Sequence, residues 1–167
     1  HAGALSTLAY FQKKRGAWTE VADTLRKQAE VESDPAKKEG VYISLAELFE
    51  TQFQDSGKAI GAYQSALESE PTSWVALSSL ENLYRRNQMW EPLIGVLGRK
   101  AELSNEDDDL LRNRIEIGRV WDEELQNAPE SIRAYQDVLV TEPQSLAALQ
   151  ALESLYARTG EDDSYID

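Results

Sequence analysis

Two lysines, three arginines, a serine and an asparagine carry the one recurring pattern in this chain that bears on chemistry. Lys13 and Lys14 return as Arg85 and Arg86 on adding 72, and Arg158 continues the series one period further on. Ser78, Asn82 and Arg85 are spaced i, i+4 and i+7, which on a helix puts them on one face, roughly opposite Leu77, Leu80 and Tyr84. Ammonium and guanidinium groups beside a hydroxyl and a carboxamide make charge-assisted hydrogen bonds to carboxylates and backbone carbonyls. That is binding chemistry. The five cations also support a second reading, because each falls in the last turn of its expected helix, where it offsets the negative end of the dipole by about 0.3–1 kcal/mol. Both readings stay open at this level.

Catalytic signals are missing. The single His is residue 1, read as a tag or cloning remnant, and the chain has no Cys, no Gly-rich phosphate loop and no GxSxG. Acid pairs such as Glu123-Glu124 and Asp162-Asp163 read as solvated surface charge. The run Glu106 to Asp109 lacks the spaced oxygen ligands and turn glycine of a calcium loop, so it reads as the capping start of a helix. No enzyme activity, cofactor or metal is expected.

Asp and Glu number 30 against 17 Lys and Arg, a formal net charge of −13. A field of that sign opposes nucleic-acid binding and favours basic partners. No apolar run approaches the ~18 residues of a spanning helix, so no membrane insertion is expected. Absent cysteine leaves the compartment open between cytoplasm and periplasm, with the cytoplasm favoured. The chain starts at His1 without Met, and a piece cut from a longer array is expected, any targeting signal having been lost with the cut.

The cations recur because the whole chain does. Ile60, Tyr63, Gln64, Leu67, Glu70, Pro71, Leu77, Leu80 and Tyr84 become Ile132, Tyr135, Gln136, Leu139, Glu142, Pro143, Leu149, Leu152 and Tyr156 at the same offset. Self-similarity at a fixed spacing marks a repeat array, in which each unit packs on its neighbours. Apolar periodicity predicts helices over 2–14, 17–32, 36–53, 58–69, 73–86, 89–103, from 104–109 to about 125, 129–141 and 145–158, with nothing that reads as strand. Inward stripes are expected through Leu5, Leu8 and Phe11; Trp18, Val21, Leu25 and Ala29; Val41, Tyr42, Leu45, Leu48, Phe49 and Phe53; Ile60, Tyr63, Ala66 and Leu67; and Leu111, Ile115, Gly118 and Trp121. Trp18, Trp90 and Trp121 are expected in the core, Trp74 partly exposed. Gly16 and Gly160 are expected stops, Thr72-Ser73 a cap, and Gly95 and Gly98 each cost the helix over 89–103 about 1 kcal/mol. The segment after Gly160, EDDSYID, is too short for a partner helix.

Leu45-Ala46, Phe49, Ala59, Tyr63, Ala66 and Pro71 together resemble the tetratricopeptide repeat, a 34-residue helix-turn-helix unit. Ile117, Gly118, Trp121, Tyr135 and Pro143 match it again, with Ser131 and Val138 in place of its two alanines. Glu81, Leu93 and Lys100 depart from the pattern. The resemblance implies an all-α, right-handed α-solenoid of stacked antiparallel helix pairs, about nine helices in about four and a half units. The expected units are 2–32 (degenerate), 36–71, 74–103 (degenerate), 108–143 and 145–167 (incomplete), in a single array over 1–167.

In that family the first helix of each unit lines the concave surface, and positions beside its packing stripe hold peptides. By resemblance the groove would show Tyr10, Lys13, Lys14, Ser78, Asn82, Arg85, Arg86, Arg112, Arg119, Gln150 and Arg158. Glu47, Glu50, Glu116 and Asp122 would line it too and make it mixed in sign. The implied function is a non-catalytic scaffold that binds a peptide or helical segment of a protein. The alternatives are a structural spacer within a larger repeat protein and an accessory subunit of a helical enzyme. Leu5 and Leu8 lack a preceding unit, so end-to-end self-association of the truncated array is also expected.

Overall fold

The computed structural model describes residues 2–160, with the side chain of Ala2 excepted. His1, the pair Asp162-Asp163 and the EDDSYID segment lie outside the described residues. Among those described there are nine α-helices and no strand: α1 (Ala2–Lys14), α2 (Trp18–Val31), α3 (Pro35–Leu48), α4 (Ser56–Ser69), α5 (Trp74–Arg86), α6 (Trp90–Leu103), α7 (Asp107–Arg119), α8 (Ala128–Thr141) and α9 (Leu146–Thr159). Two of them, α3 and α7, run on into single π-helical segments, Phe49–Phe53 and Val120–Glu124. The chain forms two compact units, 1–83 and 84–167, whose boundary falls inside α5.

Local chemistry starts and stops these helices. Asp34 caps α3 by accepting hydrogen bonds from the N–H groups of Ala36 and Lys37, with Pro35 in the first turn, where its missing N–H costs nothing. Asp55 caps α4 through the Lys58 N–H, and its counterpart Asn127 caps α8 through the Glu130 N–H. Ser73 accepts from the Ala76 N–H at the start of α5. At α7 the expected capping run behaves differently. Glu106 occupies the N-cap without a side-chain hydrogen bond, and Asp107, Asp108 and Asp109 act through the dipole from within the first turn.

Helix ends alternate between two devices. After α1 and α5 the chain closes a Schellman-type turn, Ala17 N–H to Gln12 C=O at 3.0 Å and Met89 N–H to Tyr84 C=O at 2.8 Å. After the π-helical ends of α3 and α7 the closing bonds are one residue wider, Asp55 N–H to Phe49 C=O at 3.0 Å and Asn127 N–H to Trp121 C=O at 2.8 Å. All of these turns need a residue at positive φ. Gly16 takes it after α1, as Gly160 does after α9, but Gln54, Gln88 and Gln126 hold it elsewhere, at φ of 52°, 55° and 51°. The 72-residue period is thus two hairpins with different endings.

In the first unit α1 packs on α2, α2 on α3 and α3 on α4; in the second α6 packs on α7, α7 on α8 and α8 on α9. Small residues set the close approaches. Ala46, Ala59 and Ala66 are fully buried, and Ser131, standing in for an alanine, is buried while its hydroxyl donates to the Gly118 carbonyl at 2.8 Å. The Tyr135 ring lies 2.8 Å from where a Cβ on Gly118 would sit. Around these contacts the expected stripes are buried: Val21, Leu25, Ala29, Leu45, Phe49, Ile60, Tyr63 and Leu67 in one unit, Ile132, Tyr135, Val138, Leu152 and Leu155 in the other.

Some expected core residues are not core. Leu8 and Phe11 are 45% and 56% exposed, whereas Leu80 and Leu83, their counterparts 72 positions on, are 1% exposed on a helix that follows the α3–α4 hairpin. Ala9 and Gln12 are the α1 residues that bury instead, Gln12 accepting from the Thr24 hydroxyl at 2.8 Å. Phe53 is 38% exposed because the wide π turn carries it off the α3 stripe, its ring tilted against Phe49 at 5.7 Å. Trp18, Trp90 and Trp121 are half-buried, and Trp74 is 45% exposed, as expected.

Two stability outcomes follow from these contacts. Gly118→Ala forces a methyl into the Tyr135 ring and is expected to lower stability by about 1–3 kcal/mol. Gly95→Ala and Gly98→Ala meet nothing within 4 Å and are expected to raise it by up to about 1 kcal/mol each in urea melts. Likewise Gln54→Gly and Gln88→Gly relieve a left-handed backbone and are expected to raise stability by about 1 kcal/mol each, with a higher urea midpoint. Unchanged midpoints for both glutamine variants would contradict that reading of the turns.

Candidate functional site

The helices that precede each turn, α1, α3, α5, α7 and α9, carry every residue of the expected binding set. Their side chains are reachable: Tyr10, Lys13, Lys14, Asn82, Arg85, Arg86, Arg112, Arg119, Gln150 and Arg158 are exposed, and Ser78 is half-buried. Burial of the apolar stripes on the opposite side leaves these positions outward, which is why the sequence places them there.

The charge pattern differs from a continuous basic strip. Arg85 on α5 reaches Glu116 on α7 at 2.7 Å, and Arg119 meets the other oxygen of the same carboxylate at 3.2 Å. Arg158 on α9 pairs with Asp122 in the π-helical end of α7, and Arg112 pairs with Asp109 within the first turns of α7 at 3.0 Å. Four of the expected groove cations therefore have a carboxylate beside them, two of them from another helix. Glu50 is engaged as well, accepting from the Tyr63 hydroxyl at 3.1 Å. Of the acids expected to line the groove, Glu116 and Asp122 are counter-ions to these arginines, and Glu50 is a hydrogen-bond acceptor for Tyr63.

The first unit is different. Lys14 lies over the Tyr10 ring, 4.8 Å from its centroid, and Lys13 has no carboxylate within 4 Å among the described residues. Lys13 instead lines a cleft of about 600 Å³ between α1 and α3. Gly3, Ser6 and Tyr10 form its α1 side with Lys13; Lys37, Gly40 and Ser44 form the α3 side. Ala9, Leu25 and Val41 make a buried apolar floor, beside which Gln28 on α2 donates to the Ser6 hydroxyl at 3.0 Å. Lys37, Gly40 and Ser44 are absent from the expected set. The signal for Ser44 was present in the sequence, since it stands at the position of Glu116 one period earlier.

Among the described residues no group of His, Asp or Glu has the arrangement of a metal site, and no helix is long and apolar enough to cross a membrane. The titrations that move belong to structural groups. Burial raises the Tyr63 phenol above its ordinary range, offset in part by the hydrogen bond with the Ser79 hydroxyl and helped by the charge of Glu50. Burial raises Tyr135 in the same way. Asp55 is lowered by its hydrogen bonds from Lys58, and Glu70 by those from the Thr72 hydroxyl and amide.

Solved structures place this architecture. A double mutant of MamA from strain RS-1 superposes with a TM-score of 0.53 at 15% identity over 96% of this chain and 85% of that one. A tetratricopeptide repeat protein from Parabacteroides merdae gives 0.53 at 17% identity over 95% of this chain and 59% of that one. The fold is that of the tetratricopeptide repeat. YrrB, a tetratricopeptide protein described as having an unusual peptide-binding site, gives 0.51 at 16% identity over 99% of this chain and 81% of that one. No protein-family model and no curated protein sequence matches the chain.

The buried Tyr63 phenol, which donates to Glu50, has a defined pH signature. With the folded phenol titrating above the unfolded value of roughly 10, its contribution is complete below that pH and is lost as pH rises through the folded value. Wild type is expected to exceed Tyr63→Phe by about 1 kcal/mol at neutral pH, with the gap closing above about pH 10, as followed by urea denaturation. A gap that widens with alkalinity would contradict the assignment.

Proposed function

We propose that this chain is a protein-binding module that holds a segment of a partner along the face carried by the first helix of each hairpin, the concave face that the family resemblance implies. One observation carries the reading: on α3, α5 and α9 the apolar stripe is buried, on α7 it is half-buried, and on the first helices Lys13, Asn82, Arg85, Arg119, Gln150 and their neighbours stand exposed. Extended peptides and amphipathic helices are recognised by such arrays of amide, hydroxyl and cationic groups. The fold shared with YrrB, whose description names a peptide-binding site, supports it. We read the repeat units as 2–32, 36–71, 74–103, 108–143 and 145–167, and the activity as non-catalytic. The exposed Leu8 and Phe11 give α1 a second sticky surface, through which copies associate end to end.

A second reading has its own observation. The pairs Arg85–Glu116 and Arg158–Asp122 join successive first helices, and cations occupied in this way serve a structural spacer equally well. Pull-down with the full-length protein separates the two. For the binding module, Arg85→Glu/Arg86→Glu is expected to cut partner recovery about tenfold with a native circular dichroism spectrum. A spacer would retain the same partners at the same yield.

A further inference from the structure

The cleft between α1 and α3 departs from the rest of the repeat in a way that specifies what it holds. Adding 72 carries Lys13 and Ser44 onto Arg85 and Glu116, which form an ion pair at 2.7 Å. The earlier copy keeps the cation and replaces its anion with a hydroxyl. Lys13 and Ser44 line the same cleft, and no carboxylate among the described residues lies within 4 Å of Lys13. Two further ionic groups line it. Lys37 is exposed and sits 3.9 Å from Asp34, a weak pairing in water. The Glu32 carboxylate accepts from the N–H groups of Ser33 and Asp34 at 3.0 and 3.1 Å and is held at the turn between α2 and α3. The cleft therefore carries two cations against one anchored acid, in a chain of net charge −13.

Shape agrees with charge. A Cβ added at Gly3 or Gly40 would meet nothing within 4 Å, so both walls stand back from the cleft. The floor is apolar, through Ala9, Leu25 and Val41. Ser6, Gln28 and Ser44 bring hydroxyl and carboxamide groups to the walls, suited to the N–H and C=O groups of an extended backbone.

We propose that this cleft binds an extended acidic segment of a protein partner, with a carboxylate side chain pairing with Lys13 in the place Glu116 takes beside Arg85, and a small apolar side chain resting on the Ala9–Leu25–Val41 floor. This rests on the reading of the chain as a protein-binding module and names the chemistry of its partner. The occupant is the counter-ion that Ser44 leaves out.

Fluorescence anisotropy with a fluorescein-labelled Glu-Ala-Glu-Val-Glu-Ala peptide tests it on the full-length protein. Saturable binding that weakens with added salt is expected, with about tenfold loss in Ser44→Glu, in Lys13→Ser, and with the Gln-for-Glu peptide. Ser44→Glu is the decisive variant because the repeat already carries Glu at this position one period on, so its fold is expected to survive, as circular dichroism would verify. No saturable binding, equal binding of the Gln peptide, tighter binding of a single-stranded oligonucleotide, or a Ser44→Glu protein that binds as wild type would each overturn the proposal. So would self-association that Ser44→Glu abolishes, which would give the cleft to a second copy. In the pull-down, partners lost with Arg85→Glu/Arg86→Glu but kept with Ser44→Glu would remove the cleft and leave the wider reading. Partners kept with both would remove both.

Discussion

Close contact between helix backbones, at positions where the side chain is almost nothing, is what the rest of this structure depends on. Ala46, Ala59 and Ala66 bring α3 and α4 together with no residual exposure. Gly118 and Ser131 do the same for α7 and α8, the Ser131 hydroxyl bonding the Gly118 carbonyl and the Tyr135 ring filling the space a Cβ would need. A larger side chain at these points would push the helices apart and open the apolar stripes on either side to water. Because the stripes of α3, α5, α7 and α9 are committed to packing, the opposite faces of these helices are left for polar groups. The exposed polar faces are a consequence of how the hairpins close.

The second organising constraint is the way the helices end. Schellman-type turns follow α1 and α5, and wider turns follow the π-helical ends of α3 and α7, so the hairpins alternate along the chain. Gln54, Gln88 and Gln126 hold the left-handed positions that glycine fills at residues 16 and 160. Alternation of this kind explains why the chain repeats at 72 and why neighbouring units match the 34-residue pattern unequally. Between the first helices, Arg85 reaches Glu116, and Arg158 reaches Asp122.

Much of the fold was legible because helix periodicity and the 72-residue offset act on every residue. The nine described helices fall within a few residues of their expected bounds, and the small residues matched to the family pattern, Ala46, Ala59, Ala66 and Gly118, are all buried. What escaped had no strong local signal. Glutamine has no special preference for a left-handed turn, so the αL residues at 54, 88 and 126 could not be read from residue type. The π-helical ends, and with them the exposure of Phe53, depend on a hydrogen bond one residue wider than the usual closing turn. Leu8 and Phe11 looked like core because they stand at helical spacing with Leu5, and the stripe alone does not show whether something covers it. For the residues expected in the groove, exposure was readable but pairing was not. Ion pairs between helices some thirty positions apart depend on packing, and only the substitution of Ser44 for the acid at 116 pointed to the cleft.

The meeting of Gly118 with the Tyr135 ring is the contact that sets how α7 closes on α8. A double-mutant cycle with Gly118→Ala and Tyr135→Leu, read by urea denaturation, tests it directly. Relief of the clash by the smaller side chain predicts a coupling of about 1–2 kcal/mol, the double variant losing less than the two single losses combined. Losses that add to within about 0.3 kcal/mol would place the two residues out of contact and contradict the account.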